Sequence, residues 1–149
     1  MWAPLMRGFN IVLSVKSIII MFIGVAGGIG VGSMPGLTGT MGVALLIPVT
    51  FSMDPASGLI LLASMYIGAI YGGSISAILL RVPGTPASIA TAFDGHVMTK
   101  NGEGDLALKT SIVSSFVGGV TGALILIFLS PPLARVALSF GPDEYFWVA

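Results

Sequence analysis

The chain carries two similar Pro-Gly-rich stretches, SMPGLTGT at residues 33–40 and RVPGTPAS at residues 81–88. Each stretch lies inside or beside a long apolar segment. Pro and Gly both weaken a helix, and a helix that crosses a bilayer must satisfy all of its own backbone hydrogen bonds. Two such breaks at corresponding points are typical of the discontinuous helices with which secondary transporters bind substrate near the membrane midplane. The paired breaks therefore predict transport more strongly than any single residue does.

The composition of the chain indicates a membrane protein. Its residues are 55% hydrophobic and only 8% charged, whereas soluble domains carry about 25% charged residues. Uncharged runs cover residues 17–53, 55–80 and 110–134, and each is long enough to contain a membrane span. We predict an all-α integral membrane protein, a polytopic helical bundle in which residues 1–149 form a single transmembrane domain.

Charge and residue content exclude several other functions. The formal net charge is zero and the six Lys and Arg residues are scattered, so the sequence predicts no nucleic-acid partner. The chain has no cysteine and one histidine, which excludes a zinc-thiolate site and a cysteine nucleophile. The segment GEGD at residues 102–105 matches the Gly-x-Gly-Asp of intramembrane aspartyl proteases, but no apolar helix offers the second aspartate such a site needs. We therefore do not expect an enzyme.

The predicted elements follow the apolar runs and their boundaries. We expect a short interfacial lead at residues 1–8, followed by helices at about 9–32, 41–53, 56–80 and 106–129. Asp54 is the expected N-cap of the helix that begins at residue 56. The segment 41–53 spans about 20 Å and cannot cross a core of about 30 Å alone. It is therefore either half of a broken helix or one arm of a re-entrant hairpin.

The second half of the chain is expected to alternate between short and long elements. A short arm should cover residues 87–93 and end at the turn Asp94-Gly95. The charged segment 94–109, which contains His96, is predicted to be a solvent-exposed loop. Pro131-Pro132 should end the last long helix, with a short interfacial helix at 133–140 and an aromatic belt beyond it.

Small residues recur every fourth position in three series. The series are Gly24, Gly28, Gly32 and Gly36; Ser64, Gly68, Gly72 and Ser76; and Ser114, Gly118 and Gly122. Each series places small side chains on one face of a helix and lets a neighbouring backbone approach closely. We interpret these series as helix-packing surfaces rather than as substrate-lining surfaces.

The two breaks also supply the candidate binding residues. In the first, Thr38, Gly39 and Thr40 lie at the start of the 41–53 arm, where free N–H groups and the positive end of the helix dipole favour an anion. In the second, Thr85 fits an N-cap and Ser88 lies in the first turn. Two helix N-termini facing one cavity could hold carboxylates without a buried Lys or Arg. The alternative is that each break is only a kink or a surface turn.

Several further residues belong to the same hypothesis. The complete candidate set is Pro35, Gly36, Thr38, Gly39, Thr40, Ser74, Ser76, Pro83, Gly84, Thr85 and Ser88. Thr38 and Thr40 are also candidate ligands for Na⁺, together with carbonyl groups freed at the breaks. For Ser74 and Ser76, hydrogen bonds back to their own helix are the favoured alternative. Arg81 either attracts an anionic substrate or extends its charge toward the membrane surface.

The motifs of this chain also resemble those of a known family. They are PGLTG at 35–39, ALLIP at 44–48, YIGAIYGGSISAILL at 66–80, PGTPAS at 83–88, DG at 94–95 and FGPDEYF at 140–146. In this order and at this spacing they resemble the large membrane subunit of the tripartite tricarboxylate transporters, the TctA family. The resemblance covers nearly the whole chain.

The resemblance carries its own implications. It implies a multi-pass secondary transporter of the bacterial inner membrane, whose partners are a small membrane subunit, a periplasmic solute-binding protein and the lipid bilayer. Its substrates would be citrate-like carboxylates, taken up with a Na⁺ or H⁺ gradient and without another cofactor. Members of the family are longer and carry a second Pro-Gly repeat, so we expect an N-terminal portion that does not transport by itself. Arg81 stands where the family pattern leads us to expect an uncharged polar residue, often Asn.

An interpretation from another class is a non-transporting membrane scaffold or a channel-like helical bundle. It explains the series of small residues but not the two breaks. Uptake driven by an ion gradient would separate the two interpretations.

Overall fold

The computed structural model describes residues 2–137, with no strand among them. The helices are α1 (Trp2–Val12), α2 (Val15–Ser33), α3 (Gly39–Thr50), α4 (Pro55–Leu80), α5 (Ile89–Lys100) and α6 (Gly104–Ala137), and a 3₁₀ turn (Pro86–Ser88) precedes α5. By length and composition α2, α4 and residues Gly104–Ala134 of α6 can each cross a membrane. The predicted all-α, multi-span architecture is therefore confirmed. The described residues through Ile112 form one compact unit, and those from Val113 form another.

Polar caps fix the starts of α2 and α4 at the same end of the first unit. The Ser14 hydroxyl accepts the Ser17 amide at 3.3 Å and caps α2. The Asp54 carboxylate accepts the Ser57 amide at 3.0 Å and caps α4, which confirms its predicted role. Lys16, in the first turn of α2, donates a hydrogen bond to that same carboxylate. The two helices therefore start side by side.

From this common end α2 and α4 run parallel and in backbone contact. A Cβ atom on Gly28 would lie 2.3 Å from the Met65 carbonyl oxygen, and one on Gly32 would lie 2.0 Å from the Ala69 carbonyl oxygen. On the α4 side of the same contact, a Cβ on Gly68 would lie 2.4 Å from the Val25 carbonyl oxygen of α2. Only glycine permits so close an approach, so the packing role predicted for the first two series of small residues is confirmed.

Two parts of the small-residue prediction have a different outcome. Gly36 has φ +93° and stands outside α2, so it does not extend the helical face of Gly24, Gly28 and Gly32. In the third series, Gly118 and Gly122 have no atom within 4 Å of an added Cβ in the described part of the chain. For that series, helix packing stays a prediction.

The short helix α3 runs back along α4. An added Cβ on Gly39, at the start of α3, would lie 3.3 Å from the Ala69 Cβ, and one on Gly58 would lie 3.2 Å from the Thr50 Cβ. The start of α3 thus contacts the middle of α4, and the end of α3 contacts the start of α4. The two helices are therefore antiparallel. α3 returns the chain toward the end where α2 and α4 begin. The broken or re-entrant character predicted for this segment stays a prediction.

The predicted beginning of the chain was wrong in its boundaries. Residues 9–32 were expected to form one helix after a short interfacial lead at residues 1–8, but α1 covers Trp2–Val12 and α2 begins at Val15. The physical reason lies at Ser14, whose backbone is extended at φ −66° and ψ 146° and whose side chain caps the following helix. Serine competes in this way with helix continuation.

The predicted loop at residues 94–109 was also wrong. α5 continues through Asp94 and Gly95 to Lys100, and α6 begins at Gly104. Gly95 is buried, and a Cβ there would lie 2.7 Å from the Ile78 Cγ1 atom. This glycine permits close packing of α5 on α4 and does not make a turn. Gly102, with φ +86°, makes the turn that the segment does contain.

The predicted stop at Pro131-Pro132 was wrong as well, because α6 continues through both prolines to Ala137. Membrane helices tolerate proline where neighbouring groups or local adjustment satisfy the freed carbonyls. The expected interfacial helix at 133–140 begins inside α6, and its remainder lies outside the described residues. The expected aromatic belt lies wholly outside them.

Candidate binding pocket at the two chain breaks

The two breaks meet against one face of α4 and form a partly open cavity of about 290 Å³. The cavity is lined by Thr38, Gly39 and Thr40 from the first break, by Thr85, Pro86 and Ala87 from the second, and by Tyr66 and Ile70 of α4. All of these residues belong to the unit that ends at Ile112.

The cavity lies near the middle of α4. Tyr66 is about 16 Å along the helix from its first residue, and Ile70 is about 15 Å from its last, at 1.5 Å per residue. α4 spans Pro55–Leu80 and is apolar enough to cross the membrane. The pocket is therefore central along a membrane-spanning helix.

The first break presents a helix N-terminus to the cavity. The Thr38 hydroxyl accepts the Met41 amide at 3.3 Å, and the Thr38 carbonyl accepts the Gly42 amide at 3.1 Å, so Thr38 is the N-cap of α3. The first N–H groups of a helix have no partner within it. With the Met41 amide occupied by Thr38, the amides of Gly39 and Thr40 remain to face a ligand.

The second break returns the chain from the end of α4 to the level of the pocket. Arg81 ends α4 in the left-handed conformation at φ 60°, and its amide donates to the Ala77 carbonyl at 3.1 Å. Three residues further on, the Gly84 amide donates to the Gly73 carbonyl at 3.5 Å. The chain has thus doubled back along α4 before Thr85 reaches the cavity.

A local hydrogen-bond pair holds the turn after Thr85. The Thr85 amide donates to the Ser88 hydroxyl at 3.2 Å, and that hydroxyl donates to the Thr85 carbonyl at 2.7 Å. Ser88 is 1% exposed, so it closes the turn from behind the cavity. Thr85 itself is 5% exposed and forms part of the cavity wall.

The lining is largely apolar and carries a few uncharged polar groups. Its side-chain polar groups are the three threonine hydroxyls and the Tyr66 phenol, and none of the described residues that line it is ionised at neutral pH. Hydroxyls and free amides can all donate hydrogen bonds, and the positive end of the α3 dipole lies at the same place. The arrangement suits an anionic oxygen, such as that of a carboxylate.

The predicted site residues fall into three groups: some line the cavity, some are buried beside it, and some are exposed and lie outside it. Thr38, Gly39, Thr40 and Thr85 line it. Gly84 and Ser88 are buried beside it, whereas Pro35, Gly36 and Pro83 are exposed and do not line it. The four cavity-lining threonine and glycine residues come from both breaks, as the hypothesis of a shared site requires.

Ser74 and Ser76 lie outside the lining. Their hydroxyls donate to the Ile70 carbonyl at 3.5 Å and to the Gly73 carbonyl at 3.0 Å, both in their own helix. Both serines are buried. The structure thus shows the back-bonded arrangement that was the favoured alternative for them.

Sequence reasoning missed Tyr66 and Ile70 as site residues. They stand four positions apart and therefore share one face of α4. The available signal in the sequence was a tyrosine between apolar neighbours. It indicates a site residue only when both breaks are known to pack against this face of α4. Pro86 and Ala87 were likewise absent from the predicted set, although Pro86 occupies the first position of the turn, where proline is favoured.

The remaining polar candidates lie elsewhere. Arg81 is exposed at the end of α4 and does not line the cavity. His96 was expected in a loop but is part of α5, with Nδ1 3.2 Å from the Ile78 carbonyl oxygen. Thr99 donates to the same carbonyl at 3.0 Å. These two contacts tie α5 to the end of α4.

The fold and the pocket define a helical membrane protein with several spans and a central, uncharged cavity. The chain matches the Tripartite tricarboxylate transporter TctA family over residues 18–149. It belongs to that family, and the resemblance seen in its motifs is confirmed.

One curated relative is similar to most of this chain. The relative, from Agrobacterium vitis, is described as an uncharacterized 52.8 kDa protein in the TAR-I ttuC' 3' region, and it is 44% identical over 139 residues. The match covers 93% of this chain and 28% of the relative, so the chain spans little more than a quarter of that protein's length. No solved structure matches the chain.

Proposed function

We propose that this chain is part of the large membrane subunit of a tripartite carboxylate uptake system in the bacterial inner membrane, and that its pocket binds a carboxylate group of the substrate. The observation that carries the proposal is that both chain breaks line one cavity at the middle of α4. Family membership supports transport as the purpose of that cavity. Citrate-like tricarboxylates are the proposed substrates.

The chemistry of the lining supports an anionic ligand. The amides of Gly39 and Thr40 and the Thr40 hydroxyl supply donors without a fixed positive charge. The Thr85 hydroxyl donates to the Ser88 hydroxyl at 3.4 Å in this structure and would exchange this long bond for one to the ligand. A hydrogen bond to a charged group is about twice as strong as one between neutral groups. A substrate held without Lys or Arg can also leave again, as transport requires.

The size of the cavity suits part of a small carboxylate. Its volume of about 290 Å³ lies at the lower end of small-molecule sites, which range from about 300 to 1,000 Å³. We propose that it holds one end of the substrate. The rest of the natural protein would then supply the other side of the site.

Ion coupling and partner proteins form the second part of the proposal. Thr38 and Thr40 are the proposed Na⁺ ligands, because hydroxyls and nearby carbonyls are oxygen donors of the kind that Na⁺ takes at broken helices; H⁺ is the alternative coupling ion. A small membrane subunit and a periplasmic solute-binding protein are the proposed partners. The solute-binding protein would deliver the carboxylate to the pocket.

The experiment is uptake of radiolabelled citrate into vesicles that contain the natural protein and its partner subunits. Thr85→Val keeps the shape of the side chain and removes its hydroxyl, so it should raise the KM for citrate about 10- to 100-fold, the effect of losing a hydrogen bond to a charged group. Thr121→Val is the matched control, because the Thr121 hydroxyl donates only to the Val117 carbonyl of its own helix at 2.8 Å. A wild-type KM in Thr85→Val would contradict the proposed site.

A membrane scaffold without transport is the second candidate, favoured by one observation. α2 and α4 meet in backbone contact along three glycines of α2, an arrangement that needs no ligand. Dissipating the Na⁺ and H⁺ gradients in the same vesicles separates the candidates. Loss of citrate uptake supports the transporter, and absence of uptake in the complete system under every gradient supports the scaffold.

A further inference from the structure

We infer that Gly73, which does not line the pocket, is a positioning residue for it: because it lacks a side chain, the second break can settle against α4 and place Thr85 in the cavity wall. The inference rests on the proposed function of the pocket. It concerns a residue of α4 that the transport hypothesis did not include.

The three atoms nearest to an added Cβ on Gly73 all belong to Thr85 of the second break. A Cβ atom on Gly73 would lie 2.9 Å from the Thr85 Oγ1 atom, 3.0 Å from its Cγ2 atom and 3.0 Å from its backbone nitrogen. Such separations are shorter than normal van der Waals contact, so Thr85 would have to move. Threonine is β-branched and its χ1 angle is stiff, so the side chain cannot simply rotate out of the way.

The Gly73 backbone also contacts the second break at Gly84, the residue before Thr85. Gly84 donates its amide to the Gly73 carbonyl at 3.5 Å, and a Cβ on Gly84 would lie 2.9 Å from the Gly73 Cα atom. Two glycines thus face each other where the second break crosses α4. Thr85 follows directly, so its position in the wall depends on how closely the two backbones approach.

The direction of the displacement makes the inference specific. Gly73 lies on the α4 side of Thr85, and the cavity lies between Thr85 and the first break. A methyl group on Gly73 would push Thr85 away from α4 and alter the wall that a carboxylate contacts. The expected consequence is weaker substrate binding in a protein that still inserts and still turns over.

The test is citrate uptake by the natural protein with its partner subunits, measured for Gly73→Ala, Thr85→Ser and the double variant. Gly73→Ala should raise the KM about tenfold, the effect of forcing one side chain off its preferred rotamer, with little change in the maximal rate per molecule. Thr85→Ser keeps the hydroxyl, lacks the γ-methyl group and leaves the side chain freer to rotate, so in combination it should lower the KM of Gly73→Ala toward that of Thr85→Ser alone. The close contact with the Thr85 backbone nitrogen remains, so we expect the recovery to be partial. Gly30→Ala is the control, because no atom lies within 4 Å of its added Cβ.

A second readout does not depend on the substrate. This chain contains no cysteine, so Ala87→Cys places a single thiol in the pocket lining. Its rate of reaction with a negatively charged methanethiosulfonate should change several-fold when Gly73→Ala is added and should not change when Gly30→Ala is added. An unchanged rate in both would overturn the inference.

The outcomes separate this inference from the proposed function. A raised KM in Thr85→Val together with a wild-type KM in Gly73→Ala overturns the role of Gly73 and leaves the site intact. A wild-type KM in both overturns the site and the inference with it. If Gly73→Ala fails to accumulate in the membrane, the double variant decides: its recovery supports the contact with the Thr85 side chain, and its failure overturns the positioning role of Gly73.

Discussion

Gly32 and Gly84 touch across the two breaks: a Cβ atom on Gly84 would lie 2.1 Å from the Gly32 carbonyl oxygen. Gly32 is next to the end of α2, just before the first break, and Gly84 lies in the middle of the second. The second break therefore packs directly against the last turn of α2, next to the start of the first break. The second break cannot move away from α2 without separating this contact.

The first prediction follows from that contact. Gly84→Ala should abolish citrate uptake, because its Cβ would collide with backbone atoms that cannot rotate away; overpacking of this kind costs roughly 1–3 kcal/mol. Uptake and the amount of protein in the membrane are measured together, with Gly30→Ala as the open-space control. Wild-type uptake in Gly84→Ala would show that the breaks do not need this approach.

A different mechanism applies at Gly36. Its φ is +93° and no atom lies within 4 Å of an added Cβ, so a substitution acts through backbone strain alone. Gly36→Ala should destabilise the protein by roughly 1–2 kcal/mol, and Gly36→Asn by less, because Asn tolerates left-handed conformations better. Thermal unfolding of the detergent-solubilised natural protein measures the difference. Equal stability of Gly36→Ala and wild type would mean that the first break adopts another backbone conformation.

The contact between α2 and α4 gives a matched pair of variants. Gly28→Ala places a Cβ 2.3 Å from a carbonyl oxygen of α4, whereas Gly27→Ala places one 3.7 Å from the Met65 Sδ atom, an ordinary contact. We expect Gly28→Ala to lower the free energy of unfolding by roughly 1–3 kcal/mol and Gly27→Ala to leave it nearly unchanged. Thermal unfolding of both variants checks this. Equal effects would mean that the helices do not pack in this register.

Local rules were sufficient to predict much of this fold from the sequence. Asp54 and the first break were recognisable because capping residues and Pro-Gly pairs act on their immediate neighbours. The location of the candidate pocket at the breaks followed from the same reasoning. Thr38, Thr40 and Thr85 could be proposed together because each precedes or begins a helix.

Other features depended on contacts between distant elements and could not be predicted in this way. Gly95 resembles a turn residue in the sequence, but its role is to admit Ile78 of α4, 17 residues earlier in the chain. Gly73 and Tyr66 gain their roles only from what packs against α4. A glycine that permits a turn and one that permits close packing are chemically identical, so only the fold distinguishes them.

The ion pair at the start of α2 and α4 predicts a pH effect on stability. Hydrogen bonds from Lys16 and from Ser57 hold the pKa of the Asp54 carboxyl well below its ordinary value of 3.8. A depressed folded-state pKa stabilises the protein above the unfolded value, and this contribution is lost as the pH falls toward the folded value. Because the pair is exposed, the effect should be small and should weaken with salt.

The measurement is thermal stability between about pH 6 and pH 3. Wild type should lose stability below about pH 4 relative to Asp54→Asn. The variant retains a side chain suited to N-capping, so it removes the charge with little change to the cap. Parallel curves for wild type and Asp54→Asn across this range would contradict a structural role for the ionised pair.

Tyr66 supplies the last test of the pocket, since it is the lining phenol that the sequence did not identify. Its ring lies 3.4 Å from an added Cβ on Gly39, so it packs against the first turn of α3, and the side chain is 48% exposed. If its hydroxyl donates to a bound carboxylate, Tyr66→Phe should raise the KM for citrate about tenfold or more and leave the ring packing intact. Tyr71→Phe is the control, because Tyr71 lies on the same helix and does not line the cavity. The measurement is citrate uptake by the two variants at equal amounts of protein, and equal KM values would place the carboxylate away from the Tyr66 hydroxyl.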